Sequence, residues 1–462
     1  MSRSGEGQRR CHERARGHML ADLATLGRHT VTARILTAGG GRRDWSADYR
    51  LYSRDRFDPE DVFGVVRGEF QRAVAHDAPL LAAIDDTILR KTGPRIPGVA
   101  YRRDPLGPPF HVNFVRGLRV LQISALVPQP QGSPFRAVPI DFVQAPTPRK
   151  PSPKAPEAEW EAYRAAAKET NLSRLARRRV QLLRDRLEDP RRLWVVADGR
   201  LANRKFLANL PANTAAIVRV RRDARLHHPP LSQPEGAGRR RIYGPPAPTP
   251  EQLRADDNVP WQTVRVHAAG KLRDFHVKTL SPLRWRATSE MPARLIVVAP
   301  LGYRLRKRSR VLYRQPAYLL CYDLEADLQA VLQGYVGRWD IEVNFRDEKT
   351  LLGAADPQVR NPSSVSHAPA LTVAAYALLL TAAMAAGAGT PGLDAPQEPK
   401  WRRHRSPSRP STRLLINQLR QELWGKAIRQ NNFSDFPSTT NRDRKSEKSL
   451  PSLANAVFYA SN

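Results

Sequence analysis

VLQGYVGRWDIEVNFRDEKT, residues 331 to 350, decides how the rest of the chain is read. At about 100° per residue, a helix here gathers Tyr335, Arg338, Glu342 and Lys349 within an arc of roughly 60°. That row holds a phenol, a guanidinium, a carboxylate and an ammonium. Leu332, Val336, Trp339 and Val343 form an apolar stripe on one side, and Ile341 and Phe345 flank the other. The polar row is therefore expected to be bordered by core on both sides. Measured from Glu342, Asp340 lies about 160° away, Asp347 about 140° and Glu348 about 120°. Those three acids are expected to point elsewhere, into water. A solvated surface helix with an Arg338–Glu342 pair is the plain alternative.

The bulk composition favours chemistry on a polyanion. The chain has 462 residues, enough for two or three domains, and its 76 Lys+Arg against 44 Asp+Glu leave a net charge of +32. Such a charge suits nucleic acid or an acidic membrane surface. The excess is mostly arginine, which forks onto phosphates, so nucleic acid is preferred. Cys11 and Cys321 are the only cysteines. They exclude a disulfide framework and a cysteine-based zinc cluster, and they suit a reducing cytosol. The basic start lacks the apolar run of a signal peptide. Residues 370–386 are apolar but alanine-rich and short for a span, so a buried core helix is expected and no membrane partner.

Working outward, residues 1–17 read as a disordered basic start. Residues 18–78 read as a helical region, a candidate for DNA contact, with a helix over 58–76. Two short helices around Gly27 are expected in 18–36, and a helix-turn-helix is one reading of them. PLLAAIDDTILRKTG, residues 79–93, is a short apolar run that ends in two carboxylates. It predicts a buried strand carrying Asp85 or Asp86 to its end. Strands are expected within 111–127 and 135–143, a linker at 144–156, and one long charged helix over 157–188. LWVVADGR, residues 193–200, predicts a second buried strand that delivers Asp198. Residues 223–292 read as a β-rich insertion, opened by a loop containing RRRIYGPP (239–246). Strands at 293–300 and within 310–324 lead to the opening helix. Residues 387–462 read as a linker, a capped helix at 411–426 and a disordered tail. A strand with Asp, further strands, a helix, a strand with Asp and a later helix with Glu make an α/β chain. This is the order of an RNase H-like (retroviral-integrase-like) catalytic core, here 79–222 and 293–386. Acids at the ends of neighbouring strands converge on one point.

Asp85 or Asp86, Asp198 and Glu342 are oxygen donors without cysteines or a histidine cluster, so hard cations such as Mg²⁺ or Mn²⁺ are expected. His227 and His228 show no metal spacing. Two ions about 4 Å apart can activate a nucleophile and stabilise the leaving oxygen of a phosphodiester. Arg338 and Lys349 are suited to hold backbone phosphates there, and Tyr335 to donate a hydrogen bond to one. Arginine runs at 239–241 and 402–405 read as solvated faces or tails.

The spacing Tyr-x2-Arg-x3-Glu-x6-Lys, with IDDT (84–87) and VVADGR (195–200), resembles bacterial insertion-sequence transposases of the DDE superfamily. The resemblance is to the group marked by that four-residue signature, and it covers residues 20 to 425. It implies a triad of Asp85 (or Asp86), Asp198 and Glu342. Asp85 is preferred because relatives carry Asp-x-Thr or Asp-x-Ser there, and Thr87 fits. It also implies hydrolysis of transposon ends in double-stranded DNA, then joining of the freed 3′-OH to target DNA, within a homodimer in the bacterial cytoplasm. Some relatives stack a flipped base on a tryptophan of the insertion. Trp261 and Trp285 are the candidates, with a structural role as the plainer reading of each. Two alternatives share these motifs: a transposase-derived DNA-binding protein without activity, and a metal-dependent endonuclease without strand transfer.

Overall fold

A computed structural model describes residues 3–54, 56–104, 113–129, 135–230, 241–288, 290–306, 308–386, 409–430 and 453–458. Four helices come first: α1 (Arg3–Ala24), α2 (Val31–Thr37), α3 (Ser46–Ser53) and α4 (Pro59–Ala73). Strands β1 (Leu80–Arg90), β2 (Ala100–Arg103), β3 (Phe114–Pro128) and β4 (Phe135–Gln144) follow, then α5 (Glu157–Glu169) and α6 (Leu172–Leu187). Next are β5 (Leu193–Ala197), α7 (Arg204–Leu207), β6 (Thr214–Arg219), β7 (Leu226–His227) and α8 (Pro250–Ala255). Strands β8 (Gln262–Ala268), β9 (Lys271–Trp285) and β10 (Pro292–Val298) lead to a small ribbon, β11 (Gly302–Tyr303) with β12 (Leu312–Tyr313). Last come β13 (Ala317–Cys321), α9 (Leu328–Gly337), α10 (Asp340–Thr350), α11 (Pro362–Ala385), α12 (Thr412–Gln430) and α13 (Leu453–Phe458).

One mixed sheet runs in the order β2-β3-β1-β5-β6-β13-β10-β9-β7, with β4 on β3 and β8 on β9. β1, β5 and β6 are parallel at its centre, and the outer pairs are antiparallel. Every residue of β5 is buried, as its unbroken apolar run requires of a strand covered on both faces. The pleat sends Leu80, Ala82 and Ile84 to one face, against a core shared with α4, α6 and α11. Leu81 and Ala83 turn to the other, where Val331 and Leu332 of α9 and Ile341 and Phe345 of α10 pack. α11 is the one helix among the described residues long and apolar enough to cross a membrane, and 72% of its apolar window is buried inside the protein. It serves as a core helix against β4 and α4.

Several local readings of the sequence need correction. Residues 3–24 are helical, where disorder is expected for 1–17. The far half of α1 is anchored by buried polar bonds: His18 Nε2 meets Asp48 Oδ1 at 2.9 Å, and Asp22 Oδ1 accepts from Arg34 Nε at 3.0 Å. Residues 157–188 form two helices, because Asn171 turns out of α5 and caps α6 by accepting from the Arg174 amide. The segment read as a β-rich insertion supplies β7, β8 and β9, and β9 bonds along β10 and extends the central sheet. Part of the tail read as disordered forms α13, with Ala456 buried against Ala24 and Trp424. The expected linker over 387–408 and the arginine runs at 239–240 and 402–405 lie outside the described residues.

Candidate active site

The register of two strands brings the first two acids together. β1 and β5 run parallel with Ile84 beside Ala197, and the pairing stops there. The next residue on each is an aspartate, Asp85 and Asp198. β1 does not end at its aspartates, as the sequence reading has it, but continues to Arg90 against β3. Asp85 thus stands at the end of the parallel pair while its backbone stays fixed by a longer strand. Asp198 opens the turn after β5, and its Oδ1 accepts from the Arg200 amide at 2.9 Å. Burial, and then the Asp198 carboxylate, push Asp85 up to about 7.

α9 and α10 lay the rest of the cluster over this edge. The stretch read as one helix is two, joined through Arg338 and Trp339. The backbone tightens there, with the Glu342 amide bonding to Trp339 O and the Ile341 amide to Arg338 O, each three residues back. Arg338 Nη1 donates to Asp85 Oδ2 at 3.0 Å, and its Nη2 lies 3.4 Å from Glu342 Oε1. Glu342 is raised by burial and by Asp198, against the pull of Arg338. Tyr335 is half-buried, and burial raises its phenol. Lys349 Nζ donates to Thr87 Oγ1 at 2.5 Å, one pleat along from Asp85 on the same face. Burial lowers Lys349. All four residues of the polar row therefore face the end of the β1–β5 pair.

Asp86, weighed as a metal ligand, is turned to the opposite face by the pleat. Arg119 Nε donates to its Oδ2 at 2.7 Å and Arg200 Nη1 to its Oδ1 at 3.2 Å. Its carboxylate is thus engaged by two guanidinium groups.

The flanks of the polar row also differ from expectation. Trp339 is 62% exposed and Val336 and Val343 are only half-buried, so of that stripe Leu332 alone joins the core. Glu348 and Asp347 do not point into water: both are buried. Glu348 shares the arc of Ile341, Asn344, Phe345 and Leu352, the face that packs on the sheet. Burial pushes it up to about 8, against a smaller opposing pull from Gln122, the cross-strand neighbour of Asp85, and from Lys349. Periodicity places Glu348 with Ile341 and Phe345, seven and three residues away, but leaves open which side of the helix meets the sheet. Asp340 accepts from the Ala137 amide and pairs with Arg409, as a structural anchor.

The two tryptophans take different places. Trp261 carries the Lys278 ammonium 4.6 Å above its ring. Trp285 packs on the core and lines a cleft of about 1100 Å³ with Gly199, Arg219, Arg222 and Tyr318. The rim of that cleft thus touches the loop of Asp198, a continuity the sequence does not reveal.

Among the described residues, no three His, Cys, Asp or Glu side chains are grouped to hold a metal ion. Arg338 is the cation between Asp85 and Glu342. The donor set is nonetheless that of a hard divalent cation: carboxylates only, crowded enough that Asp85 is raised by its like-charged neighbour. A family model described as DDE superfamily endonuclease matches residues 7–290, more than half of the chain. The matched stretch includes Asp85 and Asp198 and ends before Glu342. No curated protein matches the chain.

Proposed function

The chain belongs to the DDE superfamily endonucleases, and from that premise we propose that it is a DNA transposase that cleaves transposon ends and joins the freed 3′-OH to target DNA. The reading rests on the register that sets Asp85 beside Asp198, with Arg338 joining Asp85 to Glu342. We read the central sheet with α9 and α10 as an RNase H-like core, and the signature row as the mark of an insertion-sequence enzyme.

Nucleases of this superfamily use divalent metal ions, and Asp85, Asp198 and Glu342 are the residues that would hold Mg²⁺ or Mn²⁺. When bound, two such ions supply an activated nucleophile and neutralise charge on the phosphodiester. The remaining work falls to the polar row. Arg338 binds a backbone phosphate as it leaves the carboxylates. Lys349, held by Thr87, presents a second positive charge one pleat further along. Tyr335 donates a hydrogen bond to a phosphate oxygen and orients it. In the first step water attacks phosphorus and the 3′ oxygen of the transposon end departs with the incoming proton. In the second that 3′-OH attacks a target phosphodiester, one P–O bond replacing another. Two copies act together on double-stranded DNA in the bacterial cytoplasm.

A labelled, pre-cleaved end tests the reading. Its covalent joining to a target plasmid in Mg²⁺ is the expected product. Cleavage of an intact end without joining would reduce the protein to a metal-dependent endonuclease. Binding without either product would leave a transposase-derived DNA-binding protein.

A further inference from the structure

The segment between β10 and β13 is RLRKRSRVLYR over residues 304–314. Its described residues, 304–306 and 308–314, belong to the tip and second strand of the β11–β12 ribbon, which is not part of the main sheet. Arg304, Arg306, Arg308, Arg310 and Arg314 are all exposed, and among the described residues none of them pairs with a carboxylate. Like charges at this density repel one another, and of the five only Arg314 lies over an aromatic ring, 5.6 Å from the centroid of Tyr303. Large apolar groups are interleaved with them: Leu305 is 74% exposed and Tyr313 70%. Tyr313 lies over Gly302, where an added Cβ would come within 3.4 Å of its ring. The rest of the ring is open to solvent.

The ribbon's place in the fold identifies what it meets. β13 runs antiparallel to β6, with Leu319 beside Arg219, so its first residues stand at the carboxyl end of β6. That is the edge at which β5 delivers Asp198. The stem residues Pro300, Gln315 and Pro316 line the same cleft as Gly199, Arg219 and Arg222. We propose that the β11–β12 ribbon is an arm that grips duplex DNA beside the reaction site. Its arginines meet backbone phosphates, and Leu305 and Tyr313 make apolar contact in the groove. A two-stranded ribbon fits a DNA groove, and arginines on both edges fall against the phosphates that flank it. Exposed apolar side chains on such an arm have a use against base edges or sugars and none in water. The inference rests on the proposed action on DNA and adds the element that holds the substrate.

The test uses the full chain and a variant carrying Arg306→Ala, Arg308→Ala and Arg310→Ala. Arg304 is left in place because it bonds Ser309 and shapes the turn. Affinity for a labelled linear duplex is measured across a salt series, with cleavage followed in Mg²⁺. The plot of log affinity on log salt is expected to become shallower by about 0.9 for each arginine that meets a phosphate. At physiological salt the affinity should fall about tenfold or more, with an unchanged melting temperature. The corresponding triple Lys variant should keep the wild-type slope, because slope counts charges. An alanine variant with wild-type affinity and slope, in a protein that cleaves DNA, overturns the arm and leaves the enzyme reading intact. A wild-type protein that neither binds nor cleaves duplex overturns both. Loss of binding to phosphatidylserine vesicles with unchanged DNA binding would assign the ribbon to a membrane surface and overturn it also.

Discussion

Arg338 donates to Asp85 across 253 positions of sequence, at 3.0 Å, and the same guanidinium reaches Glu342. This contact is the joint between the strand pair and the helix pair. It places a permanent cation between two carboxyl groups and opposes the rise in the Asp85 value. Asp85 stands well above its ordinary 3.8, at about 7, because burial and Asp198 outweigh Arg338.

That shift predicts a conflict between stability and activity at Asp85. Its folded value is raised, so the native state keeps a proton that the unfolded chain gives up. Stability is full below pH 4 and drains away as pH rises through 7. Each unit corresponds to about 1.4 kcal/mol, so Asp85→Asn should stabilise the metal-free protein at pH 8 by on the order of 4 kcal/mol. The same variant should not cleave. Urea unfolding in chelator at pH 4 and pH 8 measures the first effect. Equal stability of the two proteins at pH 8 would mean that Asp85 is not crowded.

Glu348 behaves as a neutral acid. Its Oε1 and the Oε1 of Gln122 are both buried without a partner, which ionisation would make worse. Its folded value of about 8 lies above the ordinary 4.5, so its contribution is complete below pH 4.5 and lost as pH rises through 8. Glu348→Gln should match wild type in cleavage at pH 7 and melt higher than wild type at pH 9. Glu348→Ala leaves a cavity beside Gln122 and should cost about 2 to 3 kcal/mol at pH 7. Melting curves of the three proteins at both pH values decide it. A Glu348→Gln enzyme without activity would place this acid in the chemistry.

Asp86 should prove structural. Asp86→Asn removes the charge that Arg119 and Arg200 share, and should cost about 2 kcal/mol of stability. Cleavage in Mg²⁺ should stay within about threefold of wild type, since the change lies on the far face of the sheet. A dead Asp86→Asn enzyme beside an active Asp85→Asn enzyme would reverse the assignment.

The parts that were legible in the sequence are those a short pattern determines. LLAAI before Asp85 and LWVVA before Asp198 are unbroken apolar runs, and both are central strands. The pleat separates Asp85 from Asp86 without any tertiary information. Asn171 and Ser411 mark helix starts, though the first lies within a continuous charged pattern that shows no break. What stayed hidden depends on packing. A helical arc shows that Glu348 travels with Ile341 and Phe345, but not that their side, rather than that of Trp339, meets the sheet. The joining of β9 to β10 is a long-range pairing that no local signal encodes. The ribbon over 302–313 has only two residues in each strand, too few for alternation to register.

The most direct test of the account is whether Asp198 and Glu342 belong to one reaction centre. Single-turnover cleavage in Mg²⁺ is measured on a labelled duplex that carries the DNA flanking this reading frame. Wild type, Asp198→Asn and Glu342→Gln are compared, with binding and folding followed in parallel. The account predicts that each substitution slows cleavage by on the order of a thousandfold, about 4 kcal/mol of transition-state stabilisation, while affinity and melting temperature stay near wild type. Cleavage at the wild-type rate by either variant, or a loss that merely follows lost binding and folding, would contradict it.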